Sequence, residues 1–136
     1  MRLIPTLLVL IFCSAFAFAQ TDGAQDPIKQ TIASQVEAFQ NKDAATAFEF
    51  ASPFIQGMFG TPENFGAMVR NGYPMVWRPA EFQSVGQEQR GAFTYQKVRI
   101  RDAQGVFHTL EYEMVSTNDG WQINGVQFVE APEVSV

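Results

Sequence analysis

The chain has 136 residues, of which 46% are hydrophobic and 17% are charged, a length that fits one globular domain and is too short for two. The 14 acidic residues outnumber the 9 basic ones and give a formal charge of −5, which makes nucleic acid and anionic lipid surfaces poor partners. With 1 cysteine and 1 histidine, the sequence excludes an internal disulfide and predicts no metal site and no cofactor.

The first 19 residues have the pattern of an export signal. Arg2 precedes an apolar run of about 14 residues that ends at Phe16, and residues 17–19 then provide the small-x-small pattern that a signal peptidase cuts. The run is shorter than the roughly 20 residues that a membrane-spanning helix needs. Phe12 lies directly before Cys13, where a lipid-attachment site requires a small residue, so lipidation is not expected.

Cleavage between Ala19 and Gln20 predicts an exported chain, either periplasmic or secreted, with no stable membrane anchor. The cleaved chain loses one arginine and the cysteine, so its formal charge becomes −6 and its stability must come from packing. We expect a flexible leader over residues 20–25, a single domain over residues 26–130 and a C-terminal tail over residues 131–136.

Helical periodicity fills the first half of the domain. Asp26 is placed to cap a helix that has Pro27 at its first position. The apolar residues of this helix share one face and are Ile28, Ile32, Val36 and Phe39. The helix should end near Asn41 and Lys42. Asp43 is placed to cap a second helix, which the Ser52-Pro53 step should close because proline disfavours helical geometry at the residue before it.

A third helix is predicted to begin after its cap, Thr61, with Pro62 at its first position, and to end at Gly72. Its buried face comprises Phe65, Met68 and Val69. Residues 54–60, between the second and third helices, are expected to form an irregular apolar turn. Three helices therefore precede the sheet.

From Met75 onward the pattern predicts about four antiparallel strands, with turns at residues 86–91, 102–105 and 117–120. In the second turn, Asp102 opens a type I turn and Gly105 provides the left-handed residue of a three-residue loop, which pairs Asp102 with Val106. The cross-strand pairs that follow from this register are Lys97 with Glu111, Arg99 with Thr109, and Val98 with Leu110. Charged residues then share one face of the sheet and apolar residues share the other.

Two further expectations concern the faces of the sheet. Glu111 and Glu113 alternate on the solvent face, where we expect them to form cross-strand ion pairs with Lys97 or Arg99. A bulge at Gly125 is expected to return the last strand, including Val126 and Phe128, to the buried face.

These elements predict an α+β cone, in which three helices cover the concave face of a curved antiparallel sheet and leave a pocket between the two layers. This order resembles the nuclear transport factor 2-like superfamily (the cystatin-like cone), whose members often open a last strand with the sequence found here at Asp119, Gly120 and Trp121. The superfamily includes isomerases, hydrolases, transport adaptors and binding domains, so the resemblance implies a fold and no single activity.

More specifically, the chain resembles the bacterial domain-of-unknown-function family number 4864 over nearly all of its length after the signal. The residues that carry this resemblance are Gln35, Ala38, Phe39, Asp43, Ala47, Phe48, Ala51, Ser52, Pro53, Ile55, Gln56, Phe59, Gly60, Phe65, Met68, Val69, Gly72, Tyr73, Pro74, Arg78, Pro79, Gly120 and Trp121. The family has no assigned reaction, so the resemblance implies no catalytic residues. It does imply a periplasmic location.

His108 is a candidate catalytic residue because the register places it on the face that carries Ile100, Leu110 and Tyr112. In one interpretation it is a general acid or base in the pocket, tuned by Tyr112. In the other it is a hydrogen-bonded histidine near the end of a hairpin, without a catalytic partner. The sequence favours the second interpretation, since it assigns His108 no partner of its own and places four aspartates at caps or turns, namely Asp26, Asp43, Asp102 and Asp119.

The segment from Met68 to Pro79 holds further ligand-binding candidates, which are Arg70, Tyr73, Trp77 and Arg78. Together with His108 and Tyr112, these side chains suit a carboxylate-bearing or aromatic ligand, which guanidinium groups and aromatic rings bind by forked hydrogen bonds and stacking. The sequence favours the alternative, in which the aromatic rings fill the cone while the arginines cover apolar surface and pair with acids, because large aromatic residues are most often core residues.

Two classes of function stay open. The favoured hypothesis is a non-catalytic module that binds a small apolar or acidic ligand or a protein partner, with a homodimer through the sheet as one such assembly. The alternative is an isomerase- or hydrolase-type enzyme whose pocket contains His108, acting with Tyr112 or a buried glutamate.

Overall fold

The structure is a computed structural model that describes residues 26–129. The predicted signal, its cleavage site, the leader and the C-terminal tail therefore lie outside the described residues. Within that range, helices come first and strands follow, so the α+β class is confirmed.

The helical half contains five helices within the described residues, where three were predicted. They are α1 (Pro27–Gln40), α2 (Ala44–Glu49), α3 (Pro53–Phe59), α4 (Pro62–Gly72) and α5 (Pro74–Trp77). The predicted caps are confirmed. Asp26 accepts a hydrogen bond from the Ile28 N–H at 2.9 Å, and Asp43 accepts one from the Thr46 N–H at 3.1 Å. The pKa of Asp43 is lowered, first by the Thr46 hydroxyl and then by this N–H.

Helix α3 corrects the prediction that residues 54–60 are irregular. The Ser52-Pro53 step ends the preceding helix and also starts a new one, because Ser52 caps α3 by accepting from the Ile55 N–H at 3.3 Å and Pro53 takes the first position. The Gln56 side-chain amide then donates to the carbonyls of Phe48 and Ala51, both at 3.0 Å, and fixes α3 against the end of α2.

The prediction that the sheet begins at Met75 is also wrong. Pro74 starts the short helix α5. At its beginning, the Tyr73 carbonyl accepts hydrogen bonds from the N–H groups of Val76 and Trp77 at 2.9 and 3.1 Å. Met75 and Val76 are buried in the core from this helix rather than from a strand. The reason is local, since proline at a first helical position outweighs the β propensity of the residues after it.

The sheet is antiparallel, with strands in the order β1 (Glu81–Arg90), β2 (Phe93–Arg101), β3 (Phe107–Thr117) and β4 (Gly120–Phe128). The predicted register between β2 and β3 is confirmed at all three pairs, namely Lys97 with Glu111, Val98 with Leu110, and Arg99 with Thr109. The loop between these strands closes as predicted, with the Asp102 N–H donating to the Val106 carbonyl at 2.9 Å and Gly105 at a φ of 84°.

The first predicted turn is much shorter than expected. Strand β1 continues through residues 86–90, and only Gly91, at a φ of 62°, and Ala92 connect it to β2. A bulge between Ser84 and Gly86 accounts for the glycine that looked like a turn signal.

The bulge predicted at Gly125 is confirmed, because Gly125 pairs with Glu113 while Ile123 pairs with Met114, which leaves Asn124 as the extra residue. Phe128 returns to the inner face as predicted, since it pairs with Leu110, but it lies at the end of β4 and is only half-buried. Its side chain is 49% exposed and stacks on the ring of Tyr73 at a centroid distance of 5.2 Å.

The core lies between the helices and the inner face of the sheet, where Ile32, Phe39, Val98, Leu110 and Met114 are almost completely buried. On the outer face, the expected partner of Glu111 was wrong. Its carboxylate receives the guanidinium of Arg90 at 2.6 Å rather than the Lys97 ammonium, and this hydrogen bond is the first cause that raises the pKa of Arg90. The extension of β1 to Arg90 makes this contact available.

Glu113 accepts hydrogen bonds from the Tyr95 hydroxyl and the Asn124 amide, each at 2.7 Å. The expectation of an ion pair for Glu113 is therefore wrong, since both of these donors are neutral. Its position on the outer face is as predicted.

Candidate ligand-binding site

A cavity of about 220 Å³ lies between the helices and the inner face of the sheet. Four helices and two strands contribute to its wall. Most of the wall is apolar and comprises Phe39, Ala51, Ile55, Met58, Phe59, Phe65, Met68, Val69, Val76, Ile123, Gly125 and Val126. Its polar lining side chains are Gln35, Tyr73 and Tyr112. We call this space the cone cavity.

Tyr112 is the central polar group of the cone cavity. It lies in the middle of β3, on the inner face, and its side chain is 0% exposed. Its hydroxyl has no hydrogen-bond partner among the described residues, a state that costs free energy unless a partner is supplied. Burial, and secondarily the nearby Tyr73, raises the pKa of the Tyr112 phenol, so the group is a neutral donor and acceptor at physiological pH.

Tyr73 lines the same cavity but has a partner of its own. It caps the C-terminus of α4, where its N–H donates to the Val69 carbonyl at 2.8 Å. Its hydroxyl donates to the Val126 carbonyl at 3.1 Å, and its ring stacks on Phe128. Tyr73 therefore closes one end of the cone cavity by joining α4 to β4.

Gln35 is the third polar side chain of the wall and is only 3% exposed. Its amide donates to the Ala47 carbonyl at 3.1 Å, which orients the side chain and links α1 to α2. Sequence reasoning did not single out Gln35 as a site residue. The available signal was a glutamine within the apolar stripe of α1, where a polar side chain is unusual without a partner.

His108 does not line the cone cavity. Its ring nitrogen Nε2 lies 2.8 Å from Oδ2 of Asp102 at the end of the β2–β3 hairpin, and its side chain is 24% exposed. This hydrogen bond is the largest cause that lowers the pKa of Asp102, followed by the N–H of Val106. The structure thus separates His108 from Tyr112, and within residues 26–129 the cavity is lined by no acidic or basic side chain.

The remaining candidates lie in a different depression. Arg70, Trp77 and Arg78 line an open groove together with Lys42, Glu63 and three small residues, which are Ala44, Gly66 and Ala67. The predicted set is therefore divided, with Tyr73 and Tyr112 at the cone cavity and the two arginines and Trp77 at this groove.

The family model described as "Domain of unknown function (DUF4864)" matches residues 21–136. The chain belongs to this family. The match covers the whole described domain, so the cone cavity and the groove both lie within a DUF4864 domain. No curated protein matches the chain.

Two solved structures are similar to this DUF4864 chain. One is an NTF-2 like protein of unknown function from Burkholderia xenovorans LB400, with 16% identity, coverage of 80% of this chain and 88% of that chain, and a TM-score of 0.49. The other is TerC co-crystallized with polyporic acid, with 11% identity, coverage of 76% and 91%, and a TM-score of 0.38.

Across residues 26–129, no group of three or more His, Cys, Asp or Glu side chains is placed to hold a metal ion. None of the helices in that same range has the length and apolar character needed to cross a membrane.

Proposed function

We propose that this protein binds a small, uncharged and largely apolar molecule with one hydrogen-bonding group in the cone cavity. The observation that carries the proposal is the hydroxyl of Tyr112, which is fully buried at an otherwise apolar wall and has no described partner. A ligand hydroxyl or carbonyl beside it would supply the missing hydrogen bond, while the ligand's apolar part replaces contacts that an empty cavity lacks.

The size of the cone cavity limits the ligand. Apolar cavities of roughly 150 Å³ accept a benzene molecule, whereas pockets for drug-sized ligands usually span about 300–1,000 Å³. A volume of about 220 Å³ lies between these values. It therefore suits a single ring with a short substituent, or a short branched chain of similar volume.

The charge of the wall selects against acids in this cavity. Its polar side chains are one amide and two phenols, those of Gln35, Tyr73 and Tyr112, and it has no basic side chain. A buried carboxylate without a cationic partner loses its hydration and gains little in return. A neutral guest is therefore favoured over the acidic alternative, and binding is favoured over acid–base catalysis because the described wall contains no His, Asp, Glu, Lys or Cys side chain.

The test compares two molecules of similar shape, p-cresol and toluene, binding to the domain by calorimetry. The variant Tyr112→Phe should weaken p-cresol binding by about tenfold, the effect of one lost hydrogen bond, and leave toluene binding unchanged. The variant Val69→Phe should block both ligands, since Val69 lines the cavity and the larger ring fills it. Equal loss for the two ligands in Tyr112→Phe, or unchanged binding in Val69→Phe, would contradict the proposal.

We also propose that this ligand is bound outside the cytoplasm. The support is the sequence pattern of the first 19 residues, with its basic residue, short apolar run and small-x-small ending. Expression of the full chain in a Gram-negative host, followed by mass spectrometry of the periplasmic fraction, should yield a chain that begins at Gln20. Recovery of the uncleaved chain in the cytoplasm would contradict it.

A further inference from the structure

We propose a second binding site, which takes a small planar organic anion, a carboxylate or phosphate on an aromatic ring. We call it the basic groove and define it by Lys42, Arg70, Trp77 and Arg78. It does not depend on the cone cavity. Arg70, Gly66 and Ala67 line the groove from one side of α4, whereas Phe65, Met68 and Val69 line the cavity from the opposite side of the same helix.

The first observation is a concentration of unpaired positive charge on an acidic chain. Three of the eight Lys and Arg residues in the described range line this one groove. Elsewhere in that range, Arg90 and Arg101 pair with carboxylates and Arg99 lies over the Phe107 ring. Lys29 on α1 and Lys97 on β2 also form no ion pair with a described carboxylate, but each lies away from the groove. Lys42, Arg70 and Arg78 form no ion pair within 4.0 Å with a described carboxylate, although Glu63 also lines the groove. Their donors are therefore available to an oxyanion.

The second observation is the backbone of Lys42, which has a φ of 57°. It follows α1 at the position where helices usually end on glycine, and its N–H donates to the Phe39 carbonyl at 3.0 Å. A left-handed residue with a side chain costs backbone free energy that glycine avoids. Strain of this kind at a residue that lines a depression points to a use for its side chain.

The third observation is the shape of the groove. Its floor consists of small residues. A Cβ atom at Gly66 would lie 3.0 Å from the Cβ of Ala44, so α2 and α4 approach closely there. Trp77 forms the wall and is held from behind by Phe39 at a ring distance of 5.4 Å. A planar ring can therefore lie on this floor beside the indole while its anionic group reaches the guanidinium groups.

The experiment uses Trp77 as the reporter. The chain has 2 tryptophans, so the variant Trp121→Phe leaves Trp77 as the single one. In that background, titration with benzoate or phenyl phosphate at low salt should change the Trp77 fluorescence saturably, with weaker binding at about 0.5 M salt because of screening. Benzyl alcohol, which has the ring without the charge, should bind at least about tenfold more weakly at this site. The anion with the higher affinity identifies the head group.

Matched variants assign the signal to the groove. Arg70→Gln and Arg78→Gln should each weaken anion binding by about tenfold, whereas Lys97→Gln, an equal loss of charge on the outer face of the sheet, should change it by less than about twofold. The cavity-filling variant Val69→Phe should leave anion binding intact, so this site can fail or succeed independently of the cone cavity. Absence of a saturable signal, or equal loss in Lys97→Gln, would overturn the proposal.

Lys42→Gly separates binding from a purely conformational role. It should weaken anion binding several-fold while the melting temperature stays the same or rises, because glycine relieves the left-handed strain. Unchanged affinity in a folded Lys42→Gly variant would remove Lys42 from the site.

Discussion

Tyr95 and Tyr112 lie on neighbouring strands of one sheet and face opposite sides of it, and their hydroxyls have opposite environments. On the outer face, the Tyr95 hydroxyl donates to Glu113 at 2.7 Å, and the guanidinium of Arg90 lies 3.7 Å from the centre of its ring. On the inner face, the Tyr112 hydroxyl has no described partner. The Tyr95 hydroxyl thus has its partner within the protein, whereas the inner face leaves one buried hydroxyl without a described partner.

The pKa values of Tyr95 and Tyr112 are both raised, but by different causes, because the two hydroxyls have different surroundings. The pKa of Tyr95 is raised first by its hydrogen bond to Glu113, whereas the pKa of Tyr112 is raised first by burial. A hydrogen bond to a carboxylate stabilises the protonated phenol and the fold together. Burial without a partner raises the pKa only by disfavouring the charged phenolate. The unpartnered hydroxyl of Tyr112 therefore lowers the free energy of unfolding of the protein without a ligand.

The largest expected change in the free energy of unfolding comes from a substitution on the inner face of the sheet, and it tests whether that face is the core. Leu110→Ala should lower the free energy of unfolding by about 2–5 kcal/mol, because Leu110 is 0% exposed and its removal leaves a cavity. Thr109→Ala, the adjacent position of the same strand on the outer face, should cost less than about 1 kcal/mol. Urea unfolding of both variants measures the difference, and equal costs would contradict the assignment of the two faces.

The next effect tests the hydrogen bonds of the outer face. Glu113→Ala should lower the free energy of unfolding by about 1–3 kcal/mol, since it removes the acceptor of both Tyr95 and Asn124. Tyr95→Phe should act in the same direction and less strongly. Glu88→Ala is the control, because Glu88 is exposed and touches Arg90 only at 3.9 Å, and it should change stability by less than about 0.5 kcal/mol. A Glu113→Ala variant as stable as this control would show that the network contributes nothing.

Tyr112→Phe should have a smaller effect with the opposite sign. Removing an unpartnered buried hydroxyl should leave the ligand-free protein unchanged or stabilise it by up to about 1 kcal/mol. Thermal unfolding without added ligand, next to Tyr95→Phe, gives the comparison directly. A destabilised Tyr112→Phe variant would mean that the hydroxyl already has a partner, and the basis of the ligand proposal would be lost.

Most of the fold could be predicted because its signals are local. The caps at Asp26, Asp43 and Thr61 and the loop from Asp102 to Gly105 depend on a few adjacent residues, and each is confirmed. The loop also sets the β2–β3 register, which then places Tyr112 inward. Caps and turns of this kind can be predicted from a single sequence, and the turn also fixes which face of the sheet each side chain lies on.

The errors occur where one residue has two uses. Ser52, which is predicted to close the second helix, also caps α3, and Gly86, which is predicted to open a turn, borders a bulge within β1. The missed helix α3 supplies Ile55, Met58 and Phe59 to the cone cavity, so the composition of its wall could not be predicted. The spacing within α4 already separates Arg70 from the buried face of that helix, whereas the position of Trp77 and Arg78 at the groove depends on α5, which the sequence pattern did not predict.

The smallest effect concerns the pH dependence of stability at the β2–β3 hairpin. The pKa of Asp102 is lowered, first by the His108 ring, so the folded state favours the carboxylate over the acid. This contribution to stability is present above the unfolded pKa of about 3.9 and is lost as the pH falls through the lower folded pKa. His108→Ala should therefore be less stable than the parent at neutral pH.

The gap between parent and His108→Ala should narrow on acidification, because Asp102 in the parent loses the stabilisation of its carboxylate by the His108 ring once that carboxylate is protonated. Urea midpoints measured from pH 7 down to about pH 2 test this sign. A part of the gap that survives at the lowest pH measures lost packing, and a gap that does not narrow would show that the pair adds no electrostatic stability. A narrowing gap would make His108 a structural partner of Asp102, as Glu113 is of Tyr95, and would leave the Tyr112 hydroxyl as the buried polar group without a described partner.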